Sequence, residues 1–508
     1  MAQPKLDLVG YLRFFWRQLT SMRTALFLLL LLAFAAIPGS LVPQRTSDPN
    51  GVAQFKFDDP GLFAVLDWFQ IFNTYSSVWF SSIYLLLFIS LIGCVIPRTR
   101  HHFLALRARP PKTPARLERL SAFTSRETEA DAATALETAT ALLKKQGYRV
   151  EQYADSVSAE RGYLRETGNL VFHTALIGVL ITVGVGGGFG YTGQRVVVEG
   201  QKFVNVLGDY DSFNPGRFFN SDSLAPFRIA LDEFTVKYEL ENTNAIGQAT
   251  DFNAAVTTTQ PGSEPQQADI RVNSPLEIDG SQVYLLGNGY APVITVRDPE
   301  GTVVWTDAVP FLPQDANLTS IGVIKVPDGL ADQVGILGFF YPTAAELDTG
   351  ALASGYPDLL NPVLQLSVYT GDLGLDSGVP RSVYTLETGS LVLQAGRNGP
   401  EPALELGIGD TVDLPNGLGT IELSEVKRFA SLDIHHDPSQ LWVLGFALLV
   451  VAGLLTSLFI PRRRVWIKAV GSRIEYAGLA RGEDPTLEAA VEDIALKHSA
   501  ALSLRLKP

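Results

Sequence analysis

Cysteine is almost missing from this chain, with one residue in 508. Cys94 lies inside an apolar run, so a disulfide framework, a Cys-x-x-Cys redox pair and a thiolate metal site are all excluded, and with them a thiol-reducing role. It reads as a small buried apolar residue. Histidine is nearly as scarce, with six in the whole chain, and the stretch 191–438 has no Cys and no His before its last four residues. No two tryptophans are adjacent. The glycine cluster Gly184, Gly186, Gly187, Gly188 and Gly190 ends an apolar run instead of joining a strand to a helix, which excludes a nucleotide-binding loop. Close helix packing and a flexible exit from a bilayer explain it better.

What the chain does have is four long stretches without formal charge. Thr24 to Val42, Val78 to Ile96, Leu170 to Phe189 and Leu441 to Ile460 each run 19 or 20 residues. About 20 residues of helix cross ~30 Å of hydrocarbon. The first run has polar flanks and no small-residue cleavage site after a short apolar core, so it is expected to be a retained span, with Pro38-Gly39 as a kink.

Positive charge gathers at one end of each run. Lys5, Arg13, Arg17 and Arg23 precede the first, and Arg98, Arg100, Arg107, Arg109, Lys112, Arg116 and Arg119 follow the second. Arg161 and Arg165 precede the third, and Arg462, Arg463, Arg464 and Lys468 follow the fourth. By the positive-inside rule these flanks and both termini belong in the cytoplasm. The stretch 191–438 holds 12 Lys and Arg against 33 Asp and Glu, a net of −21 within a chain total of −13. The acidic total thus hides a basic side and an acidic side. Tyr75, Trp79 and Phe80 at one end of the second run, with Trp442 and Trp466 around the fourth, make an ordinary interfacial belt.

The expected layout follows: an integral membrane protein with four transmembrane α-helices, a large extracytoplasmic β-rich domain and a small cytoplasmic α+β insert. Its segments are a cytoplasmic N-terminus (1–23), spans at 24–42, 78–96, 170–189 and 441–460, an outer loop (43–77), the insert (97–167), the outer domain (191–438) and a cytoplasmic tail (461–508). The insert opens on a Pro- and Arg-rich linker. It continues with a strand over 121–126, a helix from Asp131 to Gln146 ended by Gly147, and short strands over 148–152 and 157–161. The tail reads as an irregular segment plus one helix from about Thr486 to Leu502. Runs such as 195–199, 227–238, 282–286, 293–296, 303–306, 362–369 and 420–426, with turns at Asp279-Gly280 and Asp328-Gly329, predict antiparallel, sandwich-like β layers.

Few side chains here can do chemistry. His173 stands four residues into a charge-free span, where an imidazole must find a hydrogen-bond partner, a cation or a metal. It is either a packing histidine bonded to nearby backbone or hydroxyl, or a ligand to haem or another metal. His435 and His436, in Asp433-Ile434-His435-His436-Asp437-Pro438, form either a solvated turn or a carboxylate-oriented ligand pair. Asp437-Pro438 also reads as the start of the following helix. His101 and His102 read as interfacial. Arg165, on the approach to His173, is either a positive-inside anchor or a partner for a ligand carboxylate.

An ordered set of segments then resembles one family. Ser21-Met22-Arg23-Thr24-Ala25 runs into a span ending near Gly39-Ser40-Leu41-Val42-Pro43-Gln44, and the next begins Tyr75-Ser76-Ser77-Val78-Trp79-Phe80. A third begins at Gly168 to His173, Val272-Asn273-Ser274-Pro275-Leu276 and Val283-Tyr284 fall in the outer domain, and His436-Asp437-Pro438 leads to Trp442. In order and spacing the whole chain resembles the ResB family of cytochrome c biogenesis proteins, System II. The resemblance implies a subunit of a plasma-membrane haem-export and cytochrome c synthase (haem lyase) complex that is not an autonomous enzyme. It implies haem b as the group handled and a polytopic CcsA-type partner bearing a Trp-rich haem platform. Apocytochrome c would be the acceptor and thioredoxin-like thiol-reducing proteins further partners, with no nucleic acid among them. Lacking a Trp-Trp pair, the chain is expected to be the ResB half and not a fusion. By the same resemblance His173 is an axial ligand to haem iron, Asp437 an acidic position before the last span, and His435 or His436 a less secure match. The competing expectation is a non-catalytic membrane scaffold with a protein- or polymer-binding outer domain. A stand-alone transporter fits poorly, because four spans with one buried histidine lack its repeats.

Overall fold

The computed structural model describes residues 7–242, 244–375 and 383–505. The chain divides into two compact units, Met1–Val185 with Ser439–Pro508, and Gly186–Pro438. Nine α-helices are described: α1 (Leu8–Leu19), α2 (Met22–Leu41), α3 (Pro49–Asp58), α4 (Pro60–Trp68), α5 (Val78–Arg107), α6 (Ala132–Lys145), α7 (Leu164–Phe189), α8 (Gln440–Phe459) and α9 (Leu487–Arg505).

Helices α2, α5, α7 and α8 are the four long and apolar enough to cross a membrane. Ser21 and Ser77 cap α2 and α5 by accepting the N–H groups of Thr24 and Phe80. Two helices outrun their apolar stretches. α5 continues through Pro97 to Arg107, where Arg107 stacks on the Phe103 ring at 4.0 Å, and the chain turns extended at Ala108 before Pro110-Pro111. α7 starts at Leu164, six residues before the charge-free run. The linker read at 97–107 is therefore helix. α7 and α8 approach closely: a side chain at Gly168 would meet the Gly453 carbonyl at 2.8 Å, and one at Gly453 would meet the Phe172 amide at 2.6 Å.

The small α+β domain is built from two distant stretches of chain. Its antiparallel sheet has the order Ala122–Glu127, Arg473–Ala480, Arg463–Val470, Ser156–Arg161, Arg149–Gln152. The tail thus supplies the second and third strands, which is the main departure from the expected irregular segment. Without them Ala122–Glu127 and Ser156–Arg161 are not neighbours. Alternation explains the pairing: Val157, Ala159, Val465, Ile467, Ile474 and Tyr476 face one side and are buried there by α6 and α9. Each such side chain contributes roughly 1.5–3 kcal/mol on burial. The other face is closed by Leu117 against Trp466 and Ala477. α6 has the expected bounds, capped by Asp131 through the Thr134 amide and terminated at Gly147 in the left-handed region.

The large domain is β throughout, with sheets of seven, six and four strands and a two-stranded ribbon among the described residues. Its spine is a pair of 17-residue strands, Ser281–Arg297 and Thr420–His436, running antiparallel from Ser281↔His436 to Arg297↔Thr420. One half of this pair, with Tyr290, Ile294, Val296, Ile421 and Leu423, packs in a core with the sheet containing Ser320–Val326, Val334–Tyr341 and Val363–Thr370. The other half, with Val283, Ala430, Leu432 and Ile434, shares a second core with the sheet of Arg228–Tyr238 and Ala249–Thr259. Two sandwich-like lobes therefore hang on one shared sheet, in agreement with the layered expectation. Asp279 and Gly280, both at positive φ, make the expected two-residue turn between Ile278 and Ser281. The runs read at 282–286 and 293–296 are parts of one strand, joined across register shifts after Leu285 and Val293.

Candidate functional site

His173 is half-buried on α7, one turn above Asn169. Its Nδ1 lies 2.8 Å from the Asn169 carbonyl oxygen, an acceptor only, so the ring carries its proton on Nδ1. Phe172 holds the ring edge-on at 4.8 Å and 86°. Nε2 is left with its lone pair and no hydrogen-bond partner among the described residues. Fixing one ring nitrogen with a carbonyl while the other stays open is how ligating imidazoles are oriented. Among the described residues no three His, Cys, Asp or Glu come together as a metal site, so this chain offers one imidazole there and no second ligand.

Below Asn169 opens a cleft of about 690 Å³ whose walls come from the end of α5, the start of α7 and the tail strands. Asn169 and Leu170 line it, with Arg98, His101, Arg462 and Arg481. Arg462 is almost fully buried, ion-paired to Glu160 at 3.5 Å and, in a shorter contact, to Glu166, with its guanidinium 4.2 Å from the Tyr163 ring centre. Glu160 also binds Arg464, and Glu166 receives Arg481 at 2.5 Å. Buried charges of this kind are tolerated only when paired. Arg98 has no carboxylate partner among the described residues; its guanidinium donates to the Met22 sulfur at 2.7 Å. His102, read as interfacial, is buried, with Nε2 3.0 Å from the Thr167 hydroxyl.

Arg165 lies elsewhere. Its guanidinium donates to the Arg481 carbonyl at 2.6 Å, tying the start of α7 to the tail, and it does not line the cleft. The sequence pointed to the wrong arginine because proximity along the helix was its only guide. Arg98, Arg462 and Arg481 belong to three separate segments, and in the sequence each reads as a topology flank.

In the other unit, His435 and His436 are the last two residues of a long strand, not a turn. Adjacent strand residues face opposite sides, so the pair cannot converge on one metal ion. His435 Nε2 meets Asp433 at 2.7 Å, and that hydrogen bond raises the imidazole pKa above its ordinary value against the opposing effect of burial. His436 stacks on Tyr191 at 5.3 Å and 14°, with Nδ1 3.3 Å from the buried Ser281 hydroxyl. Ser281 Oγ meets the Tyr191 hydroxyl at 3.3 Å, Asn205 donates to that hydroxyl at 3.1 Å, and Tyr210 donates to Asn205 at 2.6 Å. Burial pushes the Tyr210 hydroxyl well above its usual pKa, so it stays a donor. This polar chain satisfies buried groups and gives the pair a structural role. Asp437 follows the strand, and Pro438 precedes α8 and is not within its first turn.

The comparisons agree with the order of these elements. A family model described as the ResB-like family matches residues 22–492, from the start of α2 into α9. The chain belongs to the ResB-like family. Among curated relatives of this family member, the cytochrome c biogenesis protein CcsB of Synechococcus sp. (strain WH7803) is 30% identical over 273 residues, 52% of this chain and 58% of the relative. CcsB of Synechococcus sp. (strain RCC307) is 26% identical over 91% of each chain. CcsB of Microcystis aeruginosa (strain NIES-843 / IAM M-2473) is 24% identical over 95% of this chain and 94% of its own. With the first of these the match spans little more than half of the relative's length.

Proposed function

We propose that this chain acts in cytochrome c biogenesis as the ResB-like half of a membrane complex that moves haem and supports its attachment to apocytochrome c. The reading places the basic flanks and the small domain in the cytoplasm and the acidic β domain outside the plasma membrane, from the Lys and Arg distribution. His173 supplies one axial ligand to the iron of haem b, and a CcsA-type partner supplies the other. Apocytochrome c, with its thiols kept reduced by thioredoxin-like proteins, is the acceptor. The carrying observation is the imidazole of His173, held through Nδ1 by the Asn169 carbonyl and open at Nε2, in an apolar span. Relatives named for cytochrome c biogenesis and the family match support the same reading. With one ligand in place and none to complete it, the chain alone is expected to hold haem weakly and to attach none.

The test is co-expression with a CcsA-type partner. His173→Ala is expected to lower the Soret absorbance of the purified complex and the yield of holocytochrome c, with partial recovery on adding imidazole. Normal haem content and normal assembly in that variant would overturn the ligand role and favour a scaffold, in which the Asn169 bond merely satisfies a packing histidine. Reporter fusions after Arg464 and near residue 250 check orientation: only the first is expected to be active in the cytoplasm.

A further inference from the structure

The cleft beneath Asn169 has a charge surplus that its own side chains do not balance. Four guanidinium groups, from Arg98, Arg462, Arg464 and Arg481, stand against two carboxylates, Glu160 and Glu166. The carboxylates are spent on fixing Arg462, whose side chain is 8% exposed, and each also takes one further arginine. Arg98 has only a thioether as partner, and Arg481 remains 74% exposed while touching Glu166. An unbalanced surplus of two positive charges beside hydrocarbon-facing helices favours an anion from outside. Leu170, Leu479 and Ala480 give the same cleft an apolar wall, and its volume of about 690 Å³ is that of a small-molecule site. Asn169 is both a wall of the cleft and the acceptor for His173, which places the imidazole one helical turn, ~6 Å, further along α7.

We infer that this cleft is the receptor for the two carboxylates of an amphipathic metalloporphyrin, with Arg98 and Arg481 as its carboxylate-binding residues. The inference rests on the haem reading of His173 and adds a second recognition point to it. Iron is held at one end of the ligand and the carboxylates at the other, which fixes which edge of the macrocycle faces the basic side. A pocket of this polarity also discriminates: a porphyrin with its carboxylates blocked keeps the iron contact and loses the ionic one.

That comparison is the experiment. The full chain, purified with a CcsA-type partner in zwitterionic nanodiscs, is titrated with hemin and with hemin dimethyl ester, following the Soret band. Hemin is expected to bind about tenfold tighter than the ester at low salt, the size of one or two charge-assisted contacts, with the advantage shrinking as salt rises. Arg98→Ala and Arg481→Ala should each remove most of that advantage, and Arg98→Lys should keep it. His173→Ala should weaken both ligands alike and leave their ratio unchanged. Equal affinity of hemin and ester in the unaltered protein overturns the inference without touching the axial-ligand reading, and needs no variant to fold. Loss of the ratio in the arginine variants with no effect of His173→Ala keeps the carboxylate receptor and removes the ligand. Arginine variants that keep the ratio but no longer retain phosphatidylglycerol identify a lipid-headgroup site instead, and overturn the inference.

Discussion

The two domains are closed in opposite ways. The large β domain comes from one continuous stretch, Gly186–Pro438, and every strand of its spine finds its partner inside that stretch. The small domain is completed only when the tail returns across more than 300 residues to pair Arg463–Val470 with Ser156–Arg161. Deep burial is similar in both, yet only one of them is a folding unit along the chain. A domain whose central strands come from elsewhere reports on the integrity of everything between, because loop closure must be completed before its core forms.

The sharpest way to break the comparison is to cut. Residues 186–438 expressed alone are expected to melt in one cooperative transition, whereas 97–167 alone should show no cooperative transition at all. A folded, protease-resistant 97–167 fragment would mean that the tail strands are an addition and not the centre of the sheet. A milder version keeps the chain whole: Val465→Asp puts a carboxylate into a fully buried position on the third strand and should cost more than about 4 kcal/mol. Proteolysis confined to the small domain, with the β domain intact, is the expected pattern.

Two histidines sharpen the contrast with opposite pH signs. His498 is fully buried in the small domain, with Nε2 2.9 Å from the Ala135 carbonyl and Nδ1 2.8 Å from the Tyr476 hydroxyl, and burial lowers its pKa. The unfolded chain therefore takes up a proton first as pH falls below about 6.5. Stability of the small domain is complete above that value and declines as pH drops toward the lowered pKa, by about 1.4 kcal/mol per unit separating the two. Melting at pH 7.5 and 5.5 measures this, and His498→Gln should flatten the difference. His435 behaves in reverse: Asp433 raises its pKa, so its contribution is present below about 6.5 and lost as pH rises through the raised value. Its side chain is 42% exposed, so solvent screening limits the effect to about a few tenths of a kcal/mol. Asp433→Asn should abolish it; an equal or larger pH slope in that variant would show that another group is responsible.

Legibility followed the range of the interaction. The helix over 132–145 was readable from its ends because Asp131 and Gly147 act on backbone within a few residues. The Asp279-Gly280 hairpin was readable for the same reason. The tail strands were not, since Arg462, Arg463, Arg464 and Lys468 read as a membrane flank and obscured the alternation of Val465 and Ile467. Strand Thr420–His436 was read seven residues long instead of 17, and the histidine pair was left in a turn, because the partner that extends it lies about 140 residues earlier. His173 stood out because a charge-free run makes a single imidazole conspicuous.

Sequence alone determined the four spans, the separation of basic from acidic regions and the isolation of His173, since hydrocarbon length and charge exclusion act on contiguous residues. It also determined that no thiol chemistry resides in this chain, because one cysteine cannot form a pair. Only the tertiary structure decided which nitrogen of His173 stays open, that His435 and His436 face apart, and that Arg98, Arg462, Arg464 and Arg481 meet in one cleft. Those outcomes depend on helix packing and strand pairing between segments hundreds of residues apart, and no local pattern encodes where distant chain ends come together.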